Sequence, residues 1–138
     1  MENIEINEFS AINMARCIGP FNCGEKDNLY WITAMAEELG EIAGAVKKLE
    51  RGFNEREFLK LKSKYDSFTK SQNVPEPMYI DYLKYWENDR KKAMASEAAD
   101  LFTYLNLFCQ KNDIDLFKAV REKFNQVSVE MGCPEFKI

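Results

Sequence analysis

Residues 31–52, WITAMAEELGEIAGAVKKLERG, constrain this chain more than any other stretch. They read as one helix carrying three carboxylates, Glu37, Glu38 and Glu41, among small and apolar residues. Glu38 and Glu41 are three residues apart, so both project from one face. Ala34, Met35, Ile42 and Ala45 stand on that side and are core-type residues. Two carboxylates aimed at an apolar face repel each other and lose hydration, a conflict that a cation resolves. Residues 96–101, SEAADL, repeat the device with Glu97 and Asp100. Placed on two facing helices, the two pairs would form a four-carboxylate site for a hard divalent metal. Taken alone, an acidic triplet on a helix is also what a solvated face looks like.

The rest of the chain has to supply those helices. Residues 4–18 put Ile4, Phe9, Ile12, Met14 and Ile18 at helical intervals, and Gly19-Pro20 stops the run. A loop over 21–26 follows, after which Asp27 or Asn28 can cap a second helix over 29–51, closed by Gly52. Residues 54–71 are highly charged, yet Phe58, Leu61, Tyr65 and Phe68 recur at steps of three and four. Residues 72–77, with Pro75 and Pro77, read as a loop. A long helical pattern spans 79–111, aromatic at first, with a break expected at Asn88-Asp89. Asp113 or Asp115 can cap a last helix over 116–130, ended by Gly132 and Pro134. With no alternating strand pattern and no internal repeat, the expected fold is an all-α helical bundle, a single domain over 1–138.

Composition narrows the chemistry. Histidine is absent, which excludes Ser-His and Cys-His nucleophiles and the Glu-x-x-His pattern of di-iron bundles. A catalyst here must use carboxylates, lysines, tyrosines, cysteines or a metal. The net charge of −4 argues against a binder of nucleic-acid polymers, though a bound metal could reconcile it with nucleotides. Cys17, Cys23, Cys109 and Cys133 show no paired metal spacing. The opening MENIEINEFS is acidic and lacks an apolar run, and no segment reaches the ~20 apolar residues of a membrane span. The expectation is a cytoplasmic protein with reduced thiols and no membrane partner.

Glu-Glu-x-x-Glu followed by Glu-x-x-Asp resembles the signature of the MazG-like, all-α nucleoside triphosphate pyrophosphohydrolases. The run AEELGEIAGAVKKLERG looks like that family's first motif helix, and KFNQVSVEMGCPEFK resembles its Lys-Phe-Asn and Gly-x-Pro ending. The resemblance covers residues 29–52 and 96–138. Residues 53–92 look like a helical insertion between the two acidic motifs. The resemblance implies hydrolysis of a nucleoside triphosphate, NTP or dNTP, to monophosphate and pyrophosphate, in nucleotide-pool control or sanitation. It implies Mg²⁺ as the cofactor, with Mn²⁺ as a substitute, held by Glu38, Glu41, Glu97 and Asp100. Glu37 would be a further ligand, a water-orienting base or a surface acid, so the catalytic candidates are Glu37 and Glu38. Lys123 and Asn125 become candidates for phosphate and substrate contacts, against the alternative of a solvated last helix.

Two aromatic residues lie in register with the acids. Tyr104 is four after Asp100 and Trp31 is seven before Glu38; each is either a core aromatic or a platform for a nucleobase. The stripe Phe102, Leu105 and Phe108 reads as bundle core. The apolar load of the amphipathic helices predicts oligomerisation, and the family resemblance implies a homodimer or homotetramer. Two other classes compete with the hydrolase: a non-catalytic helical interaction module with solvated acids, and a metal-binding protein without hydrolytic activity.

Overall fold

Local capping signals set most of the helix limits. In the computed structural model, which describes residues 5–69 and 75–138, the elements are α1 (Ile6–Ile18), α2 (Asn28–Glu50), α3 (Glu55–Thr69), α4 (Tyr79–Lys111) and α5 (Leu116–Glu130), then a 3₁₀ turn over Pro134–Phe136. No strand occurs among the described residues, so the chain is all-α. The Asp27 carboxylate accepts from the Tyr30 amide at 2.9 Å, Asn54 from Glu57 at 3.2 Å, and Asp115 from Lys118 at 2.9 Å. Each satisfies an amide that the first helical turn leaves without a partner. Gly52 and Gly132 follow α2 and α5 with φ of +74° and +73°, the left-handed conformation that a residue with a Cβ enters at a cost. Ile4, positions 72–74 and the Phe68 side chain, all expected to contribute above, lie outside the described residues.

The expected break at Asn88-Asp89 does not occur: α4 runs unbroken through both. Asn and Asp cost a helix interior only about 0.7 kcal/mol each relative to alanine. Trp86, only 4 % exposed, anchors the helix just before them, and burying a side chain of that size outweighs such a cost.

Contacts divide the chain into two compact units, and α2 and α4 contribute residues to both. The first unit comprises the chain through Met35 together with Leu101–Ile138. Its core is Cys17, Trp31 and Leu107, with Met14, Cys23, Tyr104 and Phe108 packed against them. A buried polar network joins α1 to α4. The Asn13 amide donates to the Thr103 carbonyl at 3.0 Å and to Asn106 Oδ1 at 3.1 Å. Asn106 donates to Ser10 Oγ at 2.9 Å and accepts from Gln110 Nε2 at 2.7 Å. Because its members satisfy one another, the network escapes the penalty of burying lone polar groups. Of the expected stripe, Leu105 and Phe108 are half-buried. Phe102 is exposed, its ring 5.6 Å from Phe9 and 6.1 Å from Phe117.

The second unit is Ala36–Asp100. Aromatic residues of α3 and α4 build its core around buried Tyr82 and Trp86. Phe58 meets Tyr82 edge-on at 5.2 Å, and Phe53 lies 5.6 Å from Trp86 and 5.4 Å from Tyr79. Pairs of this geometry add about 0.5–1.5 kcal/mol each beyond their buried area.

Candidate metal centre

Helix α2 delivers Glu38 and Glu41 from one face, and α4 delivers Glu97, all within the second unit. One carboxylate oxygen from each lies within 4.8 Å of the other two. Glu38 and Glu97 are half-buried and Glu41 is exposed. The Glu38 carboxyl is held above its ordinary value of 4.5. Burial is the largest cause, a hydrogen bond with Glu97 the second, and the charges of Asp100, Glu41 and Glu97 add to it. The neutral form of Glu38 that these causes favour lowers the cluster's own repulsion without a cation.

The donor set fits a hard divalent cation. It is all oxygen, it comes from three carboxylates, and no cysteine belongs to the group. Asp100 is exposed and outside the three-carboxylate group, although its charge acts on Glu38. Glu37 is exposed, one residue before Glu38 and so about 100° around the helix from it. Gly40 and Gly44, next to the acids, do not serve a close helix approach among the described residues: a Cβ added at either would meet nothing within 4 Å.

The remaining candidates belong to the first unit. Of the two roles open to Trp31, the structure shows the core one: it is 1 % exposed, and its Nε1–H has no acceptor among the described residues. Tyr104 is half-buried, its ring 6.3 Å from that of Trp31. Lys123 is exposed and donates to Gln126 at 3.4 Å. The Asn125 side chain clamps Ile138, donating to its carbonyl at 3.0 Å and accepting from its amide at 2.9 Å. That amide is therefore already engaged in holding the segment after α5.

Reading the sequence missed a group of cations in the second unit. Lys48 stands seven residues after Glu41 on α2, and Arg90 seven before Glu97 on α4. Both line one cavity with Arg51 and Arg56. The signal was the spacing: seven residues is two helical turns, which returns each cation to the face of its carboxylate. Comparison with protein-family models, curated proteins and solved structures finds no match for this chain.

Proposed function

We propose that this protein is a metal-dependent nucleoside triphosphate pyrophosphohydrolase of the MazG-like all-α kind, with residues 53–92 as an insertion between its acidic motifs. The reading rests on one observation, the convergence of Glu38, Glu41 and Glu97 within 4.8 Å. The sequence resemblance supplies the reaction class. In this reading Glu38, Glu41, Glu97 and Asp100 hold Mg²⁺ or Mn²⁺. The bound cation supplies Lewis acidity toward the phosphoryl oxygens, makes nearby water more acidic and offsets the charge of the triphosphate.

The carboxylates do the rest. With the cation in place, Glu38 would release its proton to solvent and be held as the carboxylate. Glu37, or a Glu38 oxygen not engaged with the cation, accepts the proton of the attacking water. A bond forms from the water oxygen to the α-phosphorus, and the bond to the α,β-bridging oxygen breaks with its electron pair leaving on pyrophosphate. The substrate is an NTP or dNTP, and the active form is a homodimer or homotetramer. The four free thiols suit a reducing compartment, the cytoplasm in this reading. No described helix is long and apolar enough to cross a membrane.

Incubation of the full chain with a panel of NTPs and dNTPs plus Mg²⁺ tests the reading. The expected products are monophosphate and pyrophosphate, lost in Glu97→Gln. Diphosphate with orthophosphate, or no hydrolysis of any member, overturns it. The second outcome leaves the metal-binding or interaction module.

A further inference from the structure

The cavity lined by Lys48, Arg51, Arg56 and Arg90 lies in the same unit as the carboxylates. An adjoining cavity shares Lys48 and Arg90 and adds Lys60 and Lys64. Two carboxylates, Glu57 and Asp89, face these six cations, and both are engaged: Glu57 with Lys60 at 3.4 Å, Asp89 with an Arg90 Nη. Lys48, Arg51, Arg56 and Lys64 make no ion pair among the described residues. In a chain with a net charge of −4, this is a local excess of positive charge.

Cations at the end of α2 complement its carbonyl dipoles, which accounts for Lys48 and Arg51. It does not account for Arg56 on α3 or Arg90 on α4. Arg90 supplies a second observation: its Nε–H is buried and has no acceptor among the described residues. A guanidinium holds its donors in a planar fork suited to carboxylate or phosphate. Asp89 takes one arm of that fork, which leaves the buried Nε–H without a partner.

Position along the helices supplies the ligand. In the second unit Glu41 of α2 meets Glu97 of α4, while Lys48 shares a cavity with Arg90. The two segments therefore run antiparallel, and the cations stand about 10 Å along the axes from the carboxylates, on the same faces. A ligand that needs a cation at one end and positive side chains at the other is a polyphosphate. We propose that the Lys48–Arg51–Arg56–Arg90 cavity receives the pyrophosphate end of the triphosphate, with the α-phosphorus toward Glu38, Glu41 and Glu97. This rests on the hydrolase reading and extends it. The cavity's cations stabilise the charge that gathers on the leaving pyrophosphate as the bond breaks.

Calorimetric titration of inorganic pyrophosphate into the full chain, in EDTA and at low salt, tests the subsite without turnover. Wild type should bind, and Lys48→Gln/Arg56→Gln should raise Kd about tenfold, as expected for loss of charge-assisted contacts. Lys48 and Arg56 are exposed, and circular dichroism verifies that the double variant keeps its helix content. Lys47→Gln, next in sequence and outside both cavities, should leave Kd unchanged. Glu97→Gln, which abolishes hydrolysis in this scheme, should bind pyrophosphate at least as tightly as wild type. No binding by wild type, or equal Kd values for wild type and the double variant, overturns the subsite. If triphosphates are still hydrolysed in that case, the hydrolase reading stands without it. Pyrophosphate binding that depends on Lys48 and Arg56, in a protein that hydrolyses no triphosphate, overturns the substrate assigned to the cavity.

Discussion

Glu38 concentrates the electrostatics of the second unit in one carboxyl. Its proton affinity is higher in the folded chain than in the unfolded one, where 4.5 is the ordinary value. The folded state then binds more protons across the window that opens at pH 4.5, so stability falls as pH rises through it. The contribution is fully present below pH 4.5 and is lost once Glu38 ionises. Urea midpoints of the metal-free protein, measured from pH 4.5 upward, should decline. Glu38→Gln keeps a donor to Glu97 at every pH and should abolish that part of the decline. Its midpoint at neutral pH should equal or exceed that of wild type, while the rise that Mg²⁺ gives wild type should largely vanish, because a ligand is gone. Equal pH slopes and equal metal responses in the two proteins would remove Glu38 from the cluster. Asn106 is the opposite case, a buried polar group with its partners in place. Asn106→Ala removes one partner each from Asn13, Gln110 and Ser10 and should cost about 2 kcal/mol by denaturant titration.

At the scale of elements, the glycines separate into two kinds. Gly52 has φ +74° and open space around a built Cβ, so Gly52→Ala should cost about 1 kcal/mol through backbone strain alone. Gly40 lies inside α2 with nothing within 4 Å of a built Cβ. Gly40→Ala should instead stabilise by about 1 kcal/mol through helix propensity, unless a second copy of the chain packs there. Thermal melts of the two variants should shift in opposite directions. Helix limits were readable from the sequence because caps are local: Asp27, Asn54 and Asp115 act within three residues of themselves. The continuity of α4 was not, since what carries the helix through Asn88-Asp89 is burial of Trp86 against Phe53, a tertiary effect. The acidic pairs were visible as spacing, and spacing brought Glu97 to Glu38 and Glu41. Asp100 shares that spacing and still lies outside the three-carboxylate group, a difference that spacing alone does not encode. Periodicity likewise gave Trp31 a direction without saying what would cover it, and the side chain turned out to be core.

For the molecule as a whole, large apolar side chains at the surface bear on assembly. In the second unit Leu39, Leu59, Met78 and Tyr85 are each more than half exposed. Side chains of this size are normally covered by a partner when they gather into a patch. Light scattering at micromolar concentration should return at least twice the 16.1 kDa chain mass, and a stable monomer would refute the oligomer. The tryptophans add a further use. Trp31 belongs to the first unit and Trp86 to the second, each buried, and all four cysteines belong to the first. Each half thus has one tryptophan, whose emission can be excited apart from the tyrosines, and the thiols are confined to one half. Trp31→Phe makes emission report the half that holds the carboxylates, and Trp86→Phe the half that does not. Heating each variant with and without Mg²⁺ would resolve whether the halves lose structure in one step or two. If they separate, the magnesium shift should appear in the Trp86 signal and be absent from the Trp31 signal, so that two ordinary fluorescence melts locate the ion without a ligand-bound structure.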